Sequence, residues 1–385
     1  MNPSLDLTFL YYFTSPSSSV MEVRINGFEN GTPPDKVYYW LLLDHESGRI
    51  ERLVFKSMRS EDGKEHRGFE QGALSFDATQ ASLTLAAVST TAVSTTGADS
   101  TDVLPRQHTL DVVDPTGMPE RLVAQVQQYL ANAASNLAWE AQAEFWDSRM
   151  GDEGNDFHQQ LVRPAVEKLI SVAAGERILD LGCGNGVFSR HLARQGAEVI
   201  GVDVSSNLID KALARSGPKD SIDYRVLDAT SEDALATLGT FDAVVCNMVL
   251  MDIASLEPLA RSLTKLLAEG GRFVFAVAHP CFNNGSGTMR SADEYTDEQG
   301  VHQRHYIKVT DYITPAMDKI SGIGGVEQYS FRRPISLLFA PFLAEGFVLD
   351  GLEEPVFPRQ DGGRELSQDR FTEIPWALVA SMRRA

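Results

Sequence analysis

The residues best suited to chemistry gather in one stretch of this 385-residue chain. Asp180 precedes a glycine-rich turn, Gly182-Cys183-Gly184-Asn185-Gly186, and Asp203 stands about 20 positions further on. The apolar run Ile178–Leu181 leads into the glycines, and Val187, Phe188, Leu192 and Ala193 then share one helical face. Gly196 stops that helix. A second apolar run, Glu198–Val202, ends at Asp203, and Ser205 or Ser206 can cap the next helix. The pattern predicts a βαβ unit whose glycines admit a ligand close to the backbone. A carboxylate accepts two hydrogen bonds at once, so Asp203 suits the two hydroxyls of a ribose.

The dinucleotide fingerprint would need glycine at the sixth position, where Val187 stands. The glycines fall instead as D-x-G-x-G-x-G from Asp180, a spacing that resembles the class I S-adenosylmethionine-dependent methyltransferases. The resemblance extends roughly from Trp139 to Met382 and implies S-adenosylmethionine as cofactor. It implies that backbone groups at Gly182 and Cys183, in the turn completed by Gly184 and Gly186, meet the methionine part, with Asp180 offsetting its ammonium. It further implies that Val204 and Leu208 pack on adenine, that Asp228 accepts from the adenine amino group, and that the Ala229 amide donates to the ring. A helix cap is the competing role for Asp228. Asn247 and Met248 would line the point of methyl transfer.

Two upstream pieces, Trp146-Asp147-Ser148-Arg149-Met150-Gly151 and Gly154-Asn155-Asp156-Phe157-His158, resemble the lead-in segment of bacterial small-molecule methyltransferases. That resemblance places Trp146, Arg149 and His158 at the cofactor's methionine end or at the substrate. Core aromatics, and a surface ion pair for Arg149, are the competing readings. The stretch Asn247-Met248-Val249-Leu250 is not the [DN]-P-P-[YF] tetrapeptide of enzymes that methylate amide or nucleobase amino groups. His279 follows a predicted strand, and an imidazole with ordinary pKa near 6.5 suits a general base. The alternative is that His279 only orients the segment after it. His158, Tyr306 and Tyr329 are rivals for the base. Asp242 and Asp252 flank a strand without forming a metal-binding triad, so no metal is expected.

These residues need a frame. Strand-like stretches at 178–181, 198–202, 223–226, 241–248, 272–278, 347–352 and 376–382, most of them apolar runs, alternate with helical patterns, including 255–269 and 334–345. The prediction is an α/β fold, a Rossmann-like doubly wound seven-stranded sheet. The resemblance implies that its last strand inserts antiparallel. Helical periodicity is expected over 119–130, 136–149 and 161–169. Residues 281–330 form a long non-periodic insert, expected to act as a lid that selects the acceptor.

Residues 1–95 read as a mainly antiparallel β domain, a small sheet or sandwich with runs at 5–13, 20–25, 36–43, 49–58 and 81–88. Dimerisation (a homodimer), substrate presentation and plain packing are its candidate roles. Residues 96–118 read as a linker and 119–385 as the catalytic domain.

Thirty-four basic against 53 acidic residues leave a net charge of −19, which disfavours a nucleic-acid partner. Cys183, Cys246 and Cys281 have no metal or redox spacing, as expected of reduced thiols in a cytoplasmic setting. No basic residue precedes Arg24, unlike a signal peptide, and the uncharged stretch 78–98 is too rich in Ser and Thr to span a membrane. The expected activity is methyl transfer to a small molecule, at oxygen more than nitrogen, in secondary metabolism. RNA or protein methylation and a non-catalytic cofactor-binding regulator are the alternatives.

Overall fold

The computed structural model describes residues 118–217, 220–320, 328–358 and 366–384, and nine strands with His45 between residues 7 and 113. The chain divides into two compact units, Ser4–Leu130 and, apart from the first three residues, Ala131–Ala385.

In the first unit the strands are β1 (Leu7–Thr14), β2 (Ser18–Asn26), β3 (Lys36–Asp44), β4 (Ile50–Leu53), β5 (Phe55–Glu61), β6 (Lys64–Phe69), β7 (Gly72–Phe76), β8 (Gln80–Leu85) and β9 (Arg106–Val113). They form one antiparallel sheet in the order β4-β3-β2-β1-β9-β8-β7-β6-β5. The two outermost strands are separated in the chain by residue 54 alone. Their facing ends therefore lie within about 7 Å, and the meander comes round on itself. Trp40, beside Leu53, meets Phe69, beside Phe55, with ring centroids 5.6 Å apart across that seam. The sheet is larger than the five expected runs, and one of its strands, β9, falls inside the stretch expected to be linker. Residues 96–105 and 114–117 of that stretch lie outside the described residues.

In the second unit a seven-stranded sheet contains β10 (Arg177–Leu181), β11 (Glu198–Asp203), β12 (Ile222–Val226), β13 (Phe241–Asn247), β14 (Leu267–Ala278), β19 (Phe347–Glu353) and β20 (Ala377–Arg384). Its order is β12-β11-β10-β13-β14-β20-β19, with β20 antiparallel to both neighbours. β13 shows why the sheet is doubly covered. Alternate side chains point to opposite faces, so Val244 and Cys246 join one apolar cluster while Ala243 and Val245 join another. The first cluster takes Leu259, Leu263 and Leu266 from α7 (Glu257–Leu266) and Phe339 and Phe342 from α8 (Ile335–Ala344). The second takes Val166 and Ile170 from α3 (Arg163–Ile170) and Phe188 and Leu192 from α4 (Val187–Arg194). α5 (Ser206–Arg215) and the short α6 (Glu232–Ala236) complete the alternation, and Ser205 caps α5 by accepting from the Leu208 amide at 3.1 Å.

Upstream, α1 (Glu120–Ala141) runs through the interval expected to separate two helices. The break falls at Gln142, before α2 (Ala143–Met150). His158–Val162 is a π-helical turn leading into α3. The insert is not irregular: β15 (Thr288–Asp297) pairs with β16 (Gly300–Val309), and β17 (Ala316–Ile320) with β18 (Gln328–Arg332). Residues 321–327 of the insert lie outside the described residues. Among the described residues no helix is long and apolar enough to cross a membrane.

Phe342 is fully buried against Phe273 and Phe275, with ring centroids 5.2 and 6.0 Å away. Phe342→Ala should lower stability by about 3–5 kcal/mol, read by denaturant unfolding.

Candidate functional site

A cavity of about 1000 Å³ opens beyond the carboxyl ends of the parallel strands, the usual ligand position in such sheets. The glycine turn forms its floor. Gly182, Gly184 and Gly186 all have positive φ (70°, 55° and 77°), where a side chain would be strained. A Cβ on Gly182 would come within 2.3 Å of Val249, so the turn is pressed against the loop after β13. A Cβ on Gly184 would meet nothing within 4 Å. Gly186 is different: its Cβ position abuts the Tyr224 hydroxyl at 2.4 Å, it caps α4, and it is not part of the cavity wall. Its expected cofactor role gives way to helix packing.

The amides of Gly182 and Cys183 both donate to the Val202 carbonyl, at 2.7 and 3.0 Å. Both amides are therefore occupied within the junction of the turn with β11. Asp203 Oδ2 accepts from the Gly184 amide and Oδ1 from the Ser205 amide, both at 2.9 Å. A carboxylate offers about four acceptor positions, so each oxygen keeps one for a ligand hydroxyl. Burial pushes the Asp203 carboxyl up to about 6, against the opposing pull of those two amides. Asp180 accepts from Ser189 Oγ at 2.6 Å, and burial pushes it up to about 7. Both line the cavity, as do Cys183, Val204, Leu208 and Ala229.

Asp228 also reaches the wall, but its carboxylate is already engaged. Oδ1 accepts from the Thr230 amide and hydroxyl, each at 2.7 Å. Oδ2 accepts from Asn136 at 2.6 Å and Asn132 at 3.3 Å. Four donors fill its acceptor capacity. The expected bond from an adenine amino group is thereby replaced by a tie to α1, together with the turn-capping role.

The lead-in segment closes over the turn through polar ties. Asp147 of α2 accepts from Asn185 at 2.8 Å and from Arg215 at 2.9 and 3.0 Å. Glu140 accepts from the hydroxyls of Ser205 and Ser206. Trp146 lies on the cavity wall with its buried Nε1 unpartnered, and its ring is flanked by Trp139 and Phe145 at 5.6 Å each. Arg149 lines the cavity with its guanidinium 5.8 Å from the Phe145 ring centroid, and no ion pair to it is found among the described residues.

Asn247 presents a buried carboxamide whose nitrogen and oxygen both lack partners, and Met248 beside it has φ of 58°, a strained value for a side-chain-bearing residue. Both line the cavity. His158, at the start of the π-helical turn, lines it too, with a buried and unpartnered Nε2. Burial, reinforced by Arg163 and His191, pushes its pKa down to about 4, so its imidazole is neutral near pH 7.

His279 does not belong to this wall. Its side chain is 1% exposed, Nε2 is 2.8 Å from Glu354 Oε1, and Nδ1 accepts from the Cys281 amide at 3.1 Å. Both ring nitrogens are used to fix the start of the insert, which removes it as an acceptor-facing base. Tyr306 and Tyr329 are likewise absent from the wall. Sequence reasoning missed Asn132 and Asn136, whose i, i+4 spacing places them on one face of α1, and the insert residues Gln328 and Ser330. Phe357, Gln368 and Asp369, between β19 and β20, also line the cavity without any sequence signal.

Orphaned polar groups, an open glycine cradle and a carboxylate with spare acceptor positions fit a ligand with an amino-acid end and a ribose. Residues 155–312 match the family model described as a methyltransferase domain. A ubiquinone biosynthesis O-methyltransferase from Xanthomonas oryzae pv. oryzae is 37% identical over 101 residues, 26% of this chain and 41% of that protein. A demethylmenaquinone methyltransferase from Tropheryma whipplei is 32% identical over 119 residues, 31% of this chain and 48% of that protein. The chain thus spans less than half the length of these curated relatives. A solved structure described as a putative S-adenosylmethionine-dependent methyltransferase from Listeria monocytogenes is 25% identical, covers 60% of this chain and 97% of that one, and has a TM-score of 0.45.

The neutral burial of His158 makes a pH prediction. Its folded pKa lies below its unfolded value of about 6.5, so the unfolded chain binds the proton more readily. The stability it contributes is complete above about pH 6.5 and is lost as pH falls through about 4, by roughly 3 kcal/mol in all. His158→Gln should remove this part of the pH profile, read as the difference between the two unfolding curves.

Proposed function

We propose, from the premise that this chain carries an S-adenosylmethionine-dependent methyltransferase domain over residues 155–312, that it transfers a methyl group to a small-molecule acceptor, at oxygen rather than nitrogen. The observation that carries this reading is the single continuous cavity. It runs from Asp203 and the glycine turn to insert residues Ile320, Gln328 and Ser330, with room for donor and acceptor together. The net charge of −19 and the lack of the Pro-Pro tetrapeptide support a small molecule over a nucleic acid.

S-adenosylmethionine supplies an electrophilic methyl group on a sulfonium. The chain supplies position. Asp203 accepts from the ribose hydroxyls, and the Gly182 carbonyl with Asp180 receives the ammonium. The loss of water around Asp180 strengthens that attraction. Val204 and Leu208 pack on the base. Asn247 donates and accepts beside the transfer point, and the strained Met248 backbone holds it there. Because methyl transfer is an in-line displacement, this alignment accounts for much of the rate. The insert walls the acceptor from solvent. Unpaired cysteines support placing the protein in the cytoplasm.

Asp203→Ala should abolish S-adenosylmethionine binding in calorimetry, and unchanged affinity would falsify that assignment. His279→Ala should leave kcat close to wild type while lowering stability by about 1–3 kcal/mol, since it strands the Cys281 amide. A tenfold or greater loss of kcat without loss of folding would restore His279 to the chemistry.

A further inference from the structure

The loop after β13 carries a carboxyl group that no role described above uses. Asp252 ends the short helical turn Leu250–Asp252 and lines the cavity. Among the described residues its carboxyl has neither a hydrogen-bond donor nor an ion-pair partner. Its backbone, by contrast, is held firmly. The Asp252 amide donates to Val249 at 2.8 Å, and its carbonyl accepts from Ser135 Oγ at 2.9 Å. Arg333 lies beneath and donates to the carbonyls of Leu250 at 3.1 Å, Ala254 at 2.7 Å and Ile253. The guanidinium thus fixes the loop rather than pairing with the carboxylate. A half-buried carboxyl left without a partner on a cavity wall, on a backbone this firmly held, needs an explanation.

Its position supplies one. The turn packs against β18, whose Gln328 and Ser330 line the same cavity. Met251, next in the chain, also borders a small adjoining recess together with Asn283 and Ser330. Asp252 thus stands in a turn held between β18 of the insert and Ser135 of α1, on the wall it shares with Asp203. Burial pushes its carboxyl well above the usual range, while Arg333 draws it down and Asp203 adds to the rise. A cationic methyl donor bound in the same cavity favours the ionised carboxylate, the form that accepts a proton.

We propose that Asp252 is the group that takes the proton of the acceptor, and that the acceptor is an uncharged molecule with a phenol-type hydroxyl. This rests on the methyl-transfer reading given above. Such a hydroxyl, with a pKa of about 10, is a poor nucleophile until its proton leaves. In the transfer the O–H proton passes to a carboxylate oxygen of Asp252. The oxygen lone pair forms the new C–O bond, and the electron pair of the broken C–S bond stays on sulfur as a neutral thioether. The apolar part of the wall, formed by Met251, Ile253, Ile320 and Phe357, suits the ring of such an acceptor.

The test compares wild type with Asp252→Asn at about pH 8, using phenol and para-nitrophenol as probes, the latter largely ionised at that pH and the former not. S-adenosylmethionine should still bind the variant in calorimetry, weaker by no more than about tenfold, the loss expected of a carboxylate that its charge helps to ionise. Turnover of phenol should fall by about 100-fold or more, and turnover of para-nitrophenol far less. Asp252→Ser, a second variant against a folding artefact, should behave in the same way on all three readouts. Unchanged phenol turnover in either folded variant, or equal losses on the two phenols, would overturn the proton-acceptor role. S-adenosylmethionine binding by wild type without methylation of either phenol would overturn the acceptor class. Failure of wild type to bind S-adenosylmethionine would overturn the methyl-transfer reading itself.

Discussion

Three amide protons of the glycine turn are held by the end of the neighbouring strand. Gly182 and Cys183 donate to the Val202 carbonyl, and Gly184 donates to the Asp203 carboxylate. This clamp joins β10 and β11 where the parallel ladder ends, and it draws Asp180 and Asp203 to one wall. Positive φ at three glycines makes the turn compatible with the clamp, and the press of Gly182 on Val249 carries the constraint to the loop after β13. Every group assigned to the cofactor or the acceptor takes its position from this junction or from a segment that packs on it.

The segments over the cavity are fastened differently from the core beneath it. The sheet is fixed by two apolar clusters, one on each face. α1 and α2 are tied to the turn, to α5 and to the loop after β12 by carboxylates: Asp147 to Asn185 and Arg215, Glu140 to Ser205 and Ser206, Asp228 to Asn132 and Asn136. Polar ties of this kind exchange with water at small net cost, whereas the clusters cannot be opened without exposing apolar surface.

Much of this floor was legible. Strands covered on both faces must be nearly continuous apolar runs, as β10, β11 and β13 are, and all seven strands of the sheet lie within a few residues of their sequence positions, β14 excepted at its start. The D-x-G-x-G-x-G spacing and Asp203 pointed to the cofactor for the same reason: local geometry is written locally. Partners distant in the chain were not legible. Nothing in His279-Pro280-Cys281 reveals that Glu354, 75 positions later, takes the imidazole. Nothing around Asp228 reveals Asn132 and Asn136 on α1. Asp252 was weighed only as a metal ligand, because its lack of a partner exists only in three dimensions. In the first unit β6 and β7 (KEHRGF and GALSF) lack the β-branched run that marks a strand, so the meander was read too small.

The account depends on a donor and a small acceptor meeting in one cavity. The most direct measurement supplies the chain with S-adenosylmethionine labelled in its methyl group, together with an extract of small hydroxylated metabolites, RNA and protein. The label should appear, by mass, on a small molecule as a methyl ether. Label retained on the donor, or recovered on RNA or protein instead, would contradict it.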